Sequence, residues 1–209
     1  MSDGIERGAD GLGRCWWATS AADYAAYHDG EWGRPVGDDF RLFEKLTLEG
    51  FQSGLSWLTI LRKRDNFRAA FAGFDFHRIA RFGKRDVARL MADAGIVRHR
   101  GKVEAALSNA RATCRLVEKE GSLASFVWRY EPGPSERPAR LTRSVLMGLT
   151  WSPESKALAK DLRARGFSFV GPTTAYAFMQ AMGLVNDHLH GCDAREAVER
   201  ERARFRRPR

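Results

Sequence analysis

Apolar positions recur at helical spacing along most of the chain. Phe40, Phe43 and Leu46 share one face of a segment that Asp38 and Asp39 can cap. Leu58, Leu61, Phe67 and Phe71 carry the same spacing from Trp57 to Phe74. Asp86–Ala94 turns Val87, Leu90 and Met91 inward, and a long helix is expected between Gly101 and Gly121. Ser152-Pro153-Glu154 reads as a helix start, with a capping hydroxyl, a proline at the first helical position and then an acid. Gly166 closes that helix, and a nearly all-apolar one runs from Thr173 to Met182 before Gly183. Strand-like alternation occurs only at Phe167–Val170. Glu131–Arg140, with three prolines, reads as a surface loop. The expected fold is all-α, with about eight to ten helices. Residues 14–194 form the expected single domain, between a flexible N-terminal extension (1–13) and a basic C-terminal tail (195–209).

Composition narrows the class. With 209 residues and 44% hydrophobic content, the chain can bury a core without disulfides. No apolar run approaches the length of a membrane span, and Met1–Gly13 lacks the apolar stretch of a secretory signal. Three scattered cysteines make no disulfide framework, so a cytoplasmic protein is expected. The formal charge is +9, but Arg195–Arg209 holds seven Arg and three Glu, a local +4. The remaining +5 is weak support for a polyanionic partner.

Three constellations could carry chemistry. Cys15-x12-His28 and His188-x3-Cys192 together offer a two-cysteine, two-histidine set of the kind that holds structural zinc. The halves lie far apart in sequence. Spacing alone leaves open the plainer reading of a buried cysteine and a hydrogen-bonded histidine at each place. Next, Asp86–Gly95, the turn Ile96–Lys102 and the helix from Val103 form a helix, a tight hairpin and a helix. Arg98, Arg100, Gly101 and Lys102 suit a phosphate at a helix start, or else a solvated basic loop. Last, Trp16, Trp17, Tyr24, Tyr27, Trp32 and Trp57 fall in the first third of the chain, with Glu49 between them in sequence. Aromatics with one carboxylate suit a flat cationic ring, a flipped base among them. Each aromatic taken singly fits the core equally well. Glu49 does not, because a carboxylate among apolar neighbours is costly unless paired.

The ordered motifs carry a resemblance. They include Tyr27-His28-Asp29, Glu31-Trp32-Gly33, Leu48-Glu49-Gly50, Gly54-Leu55-Ser56-Trp57, the run Ala94–Lys102, Phe178-Met179-Gln180-Ala181 and Leu184–His188. From Cys15 to Cys192 the chain resembles the 3-methyladenine DNA glycosylase I family of the helix-hairpin-helix glycosylase superfamily. The resemblance implies an all-α enzyme that flips 3-methyladenine out of alkylated double-stranded DNA and hydrolyses its N-glycosidic bond, leaving an abasic site. It implies one structural zinc on Cys15, His28, His188 and Cys192. By motif position, Glu49 is the pocket carboxylate and the catalytic candidate. Tyr27 is a second polar contact, Trp57 the stacking ring, and Trp17 and Trp32 further walls. Gly54 and Leu55 match the loop that probes the gap left by the flipped nucleotide.

No Asp lies between Asp93 and Asp161, so a carboxylate base after the hairpin is not expected. No lysine stands out as a Schiff-base nucleophile, so no strand-cleaving activity is expected. A monomer is expected, since no apolar stripe calls for a partner. The competing readings are a non-catalytic zinc-stabilised helical DNA-binding protein and a small-molecule binder.

Overall fold

The computed structural model describes residues 4–208. Two short strands open it. β1 (Ile5–Arg7) pairs antiparallel with β2 (Gly13–Cys15), Ile5 opposite Cys15. Eleven α-helices follow among the described residues: α1 (Ala22–Gly30), α2 (Asp39–Gln52), α3 (Trp57–Ala70), α4 (Phe76–Ile79), α5 (Lys84–Ala92), α6 (Arg100–Glu120), α7 (Leu123–Trp128), α8 (Arg143–Gly148), α9 (Pro153–Ala164), α10 (Pro172–Ala181) and α11 (Ala194–Arg204). The surplus over the expected number comes from short pieces such as α4.

Helix α2 is the centre of the domain. The Asp38 carboxylate accepts from Arg41 N at 2.8 Å and starts it. Asp39 in turn accepts from Leu123 N and Ala124 N, at 3.1 and 2.8 Å, and so caps α7 from the side. Helices α3, α6, α7 and α10 all pack on α2. Leu42, Phe43, Leu46, Leu48 and Phe51 are therefore buried, and so are Lys45 and Glu49. Coverage on several sides places Lys45 and Glu49 inside the protein, while Arg41 stays exposed.

The expected signals at helix ends hold. Ser152 and Ser155 form a reciprocal cap around Pro153, and Gly166 ends that helix at φ +91°. After α10 the chain turns at Gly183 with φ +76°. A Cβ there would lie 2.4 Å from the Arg34 carbonyl carbon and 2.5 Å from Pro35 N. Gly183→Ala is expected to lower stability by about 3 kcal/mol, from left-handed strain and a backbone clash. An unchanged urea midpoint with an unchanged slope would contradict this.

Three expectations need correction. Phe167–Val170 is not a strand: Ser168 N donates to Asn109 Oδ1 at 2.8 Å, Asn109 Nδ2 donates to Ser168 O at 3.0 Å, and Phe169 sits at φ +57°. Its backbone groups pair with a side chain, not with a ladder. Residues 1–3 lie outside the described residues, but the rest of the expected flexible extension is ordered through β1, and Trp16 N donates to Gly4 O at 2.9 Å. The basic tail is α11 and an extension packed on the domain. Val198 is fully buried, Phe205 lies 4.6 Å from the Trp128 ring, and Arg202 and Arg207 both pair with Glu131.

Candidate functional site

The two chain ends meet at a cluster of four buried side chains. β2 ends in Cys15, α1 presents His28, and the segment after α10 brings His188 and Cys192. One ligand atom from each lies within 4.8 Å of every other. His28 Nε2 is 3.1 Å from His188 Nδ1, and Cys192 Sγ is 3.6 and 3.4 Å from these two nitrogens. The tautomers say what the cluster lacks. The Trp32 carbonyl, 3.0 Å from His188 Nε2, can only accept, so the proton sits on Nε2 and Nδ1 is bare. Asp29 Oδ1, 2.7 Å from His28 Nδ1, holds that ring's proton in the same way. Two lone pairs thus face each other beside two sulfurs, an arrangement that a cation resolves. A tetrahedral metal with bonds of about 2.0–2.3 Å sets ligands about 3.3–3.8 Å apart, close to the observed spacings. Arg14 orients Asp29 from behind, with Nη2 2.7 Å from Oδ2. The hydrogen bond from the Cys15 thiol, acting against burial, pulls the Cys192 thiol down towards the thiolate. The residues present fit a metal ion.

The aromatic pocket lies beside this cluster. α2 supplies Glu49, α1 supplies Tyr27, and Trp57 is the first residue of α3, whose cap is the Ser56 hydroxyl accepting from Thr59 N. The Tyr27 and Trp57 rings are 5.3 Å apart and tilted by 44°. Trp17 and Trp32 meet edge to face at 4.9 Å and form an outer wall. Behind that wall stand the histidine rings of the buried cluster, His28 5.1 Å from Trp17 and His188 4.8 Å from Trp32. All five expected pocket residues line one cavity of about 440 Å³, in which Glu49 is the one carboxylate. Burial, and then the charge of Glu49, pushes the Tyr27 phenol well up, so it remains a hydroxyl at neutral pH.

One pocket residue was not singled out in the sequence. Lys45 stands one turn before Glu49 on α2, with Nζ 2.6 Å from Glu49 Oε1. The same ammonium donates to the Tyr27 hydroxyl at 3.1 Å and lies 3.0 Å from the Trp57 ring centroid. It is the partner that a buried Glu49 requires. Burial draws Lys45 down to about 8, against the upward pull of Glu49. The i, i+4 spacing of a lysine and a glutamate within an apolar helix was the available signal.

The basic hairpin joins α5 to α6. Its His99 side chain caps α6 by accepting from Lys102 N at 3.2 Å, and Lys63 braces it through the Ala94 and Gly95 carbonyls at 3.1 and 3.3 Å. Arg98 and Arg100 are exposed. Lys102 is not: its ammonium donates to the Phe51 and Ser53 carbonyls at 2.9 and 2.6 Å. It ties the hairpin to the turn where α2 ends, and its charge does not face solvent. On that turn Gly54 takes φ +82° and Leu55 is 43% exposed. Phe169, read in the sequence as part of a strand-like run and not as a site residue, is 41% exposed beside the hairpin, its ring 6.2 Å from His99. Gly101 lies within the first turn of α6, where a Cβ would come 3.3 Å from the His99 ring.

Known proteins match this arrangement. The methyladenine glycosylase family profile covers residues 17–196. DNA-3-methyladenine glycosylase 1 of Escherichia coli is 47% identical over 179 residues, 86% of this chain and 95% of that protein. The DNA-3-methyladenine glycosylase of Haemophilus influenzae is 44% identical, over 86% of this chain and 96% of that one. A solved structure of 3-methyladenine DNA glycosylase I from Staphylococcus aureus, directed at 3-methyladenine recognition, is 35% identical with a TM-score of 0.81. It covers 87% of this chain and 96% of that one. By its family profile, its relatives and its fold, this chain belongs to the methyladenine glycosylase family.

Proposed function

We propose that this chain hydrolyses the N-glycosidic bond of 3-methyladenine in alkylated double-stranded DNA, acting as a monomer on a base flipped into the Trp57 pocket. The observation that carries the reading is Glu49, a buried carboxylate that lines one cavity with the rings of Trp17, Tyr27, Trp32 and Trp57. A protein that only binds DNA has no use for that group.

The chemistry asks little of the protein. Methylation at N3 makes the base a cation, so it departs as a neutral molecule without needing a proton. The bond between sugar and base breaks with its electron pair going to the base. A water oxygen then bonds to the anomeric carbon and gives its proton to solvent. Glu49 accepts from the amino edge of the base and favours the cation, Tyr27 offers a second polar contact, and Trp57 stacks on the ring face. No Asp lies between Asp93 and Asp161, so the hairpin side offers no aspartate for the role of base.

On the DNA side, Arg98 and Arg100 with the hairpin backbone near Gly101 hold phosphates, and Gly54–Leu55 enters the gap that the flipped nucleotide leaves. Lys102 supports this surface from beneath by joining its two parts. Leu55→Ala is expected to slow base release from duplex DNA by about tenfold, in line with the loss of a small apolar wedge. Binding of free 3-methyladenine should not change. Equal loss in both assays would place Leu55 in the base pocket instead.

Cys15, His28, His188 and Cys192 hold one zinc ion, which clips β2 and α1 to the segment before α11 and takes no part in the reaction. The enzyme works in the cytoplasm, in keeping with three unpaired cysteines. No helix among the described residues is long and apolar enough to cross a membrane.

The test is chromatography of bases released from methylated duplex DNA. The reading expects free 3-methyladenine and abasic sites that break only after alkali. A folded, metal-loaded protein that releases no base would return the chain to a binding role.

A further inference from the structure

The ammonium of Lys45 stands where the proposed base would stack. It lies 3.0 Å from the centre of the Trp57 ring, 2.6 Å from Glu49 and 3.1 Å from the Tyr27 hydroxyl. Those three groups are the ones assigned to the base. A planar ligand stacked on that face and a lysine head at 3.0 Å from its centre exclude each other, because stacked rings need about 3.5 Å. We propose that Lys45 is a built-in occupant of the base seat, a cation that holds the pocket closed until a flipped base displaces it.

The structure provides a place for it to go. Lys45 also lines a second, smaller cavity of about 30 Å³ that adjoins the pocket, together with Glu31 and Glu44 and the three arginines Arg41, Arg64 and Arg68. That volume admits one water-sized group, and an ammonium is of that size. Glu31 and Glu44 offer carboxylates there, although each already pairs with an arginine, Arg64 at 2.6 Å and Arg68 at 2.8 Å. A flexible four-carbon stem anchored on α2 can swing its head from one cavity to the other.

The exchange selects by charge. A cationic base replaces the ammonium on Glu49 and on the Trp57 face, so a like charge takes over both contacts. A neutral base must also displace Lys45, yet it leaves Glu49 without a counter-charge in a buried site. Lys45 thus turns a pocket that prefers cations into one that resists being opened by neutral bases. It acts through Trp57 and Glu49 and is a positioning residue, outside the reacting groups.

This inference rests on the pocket assignment above, and the test separates the two. The probe is the 3,9-dimethyladeninium cation, which keeps the charge that free 3-methyladenine loses, and the readout is the ε-methylene signal of Lys45 in the wild-type protein by nuclear magnetic resonance. In the free protein that signal should lie strongly upfield, shielded by the Trp57 ring, and saturating cation should move it back downfield. Lys45→Met should bind both this cation and adenine at least about tenfold more tightly, because the internal competitor is gone. An unshielded signal in the free protein, or one unmoved by saturating cation, would overturn the proposal. So would a folded Lys45→Met protein that binds no tighter. If Glu49→Gln binds the cation as well as wild type does, the pocket assignment itself fails, and Lys45 with it.

Discussion

Glu49→Gln should lower 3-methyladenine release by about one to two orders of magnitude, the range expected for a lost charge-assisted hydrogen bond. The neutral amide keeps the shape of the side chain but can no longer match a cationic base. The same change has a structural effect. Lys45 and Glu49 are a buried pair, with side chains only 7% and 5% exposed. Removing one charge leaves the other uncompensated, which costs about 3–5 kcal/mol unless Lys45 gives up its proton. Urea unfolding should therefore show a less stable but folded protein. The double variant Lys45→Met, Glu49→Gln removes both charges and should recover most of that stability without recovering base release. A double variant with restored stability and restored release would show that Glu49 matters only as the partner of Lys45.

Removing the metal should have the second large effect. A ligand that binds only the folded chain stabilises it by about 4 kcal/mol when free ligand exceeds its Kd 1,000-fold. Chelation should remove that contribution and lower the melting temperature. It should also impair the pocket, because Trp17 and Trp32 pack on His28 and His188 at 5.1 and 4.8 Å. Cys192→Ser should reproduce both losses and lower the bound zinc measured by atomic absorption. A chelator that leaves melting and base release untouched, on protein that contains no zinc, would refute the assignment of the metal.

The helical skeleton was legible where local chemistry decides structure. Asp38, Ser152 and Gly166 mark helix ends because capping hydrogen bonds and left-handed turns demand those residue types. Two failures share a cause. The β1–β2 pair has only three residues per strand, too short to show alternation, while Phe167–Val170 alternates but gives its hydrogen bonds to Asn109. Pairing across the chain, not local pattern, settled both. The C-terminal segment misled through its charge: Val198 and Phe205 are its only large apolar side chains, yet they dock it, with Arg202 and Arg207 on Glu131.

In the site, the cluster of two cysteines and two histidines was visible only as two distant halves, and the fold brings them together. Glu49 was legible as an acid in need of a partner. That partner, Lys45, was not, since lysines on helices are ordinarily read as solvent-facing. Lys102 shows the opposite error. It sits in a basic hairpin, but its charge is committed to the Phe51 and Ser53 carbonyls. A charge count cannot tell a cation that meets DNA from one that fastens two loops.

If the base sits on Trp57 beside Glu49, the six tryptophans report it directly. Each indole N–H gives one signal in a nitrogen-15 spectrum. That of Trp57 is buried with no hydrogen-bond partner, whereas Trp128 donates to the Val36 carbonyl at 2.8 Å, away from the pocket. Titration with 3-methyladenine should move the Trp57 and Trp17 signals to saturation and leave Trp128 in place. Saturable binding that leaves Trp57 and Trp17 unmoved would place the base elsewhere.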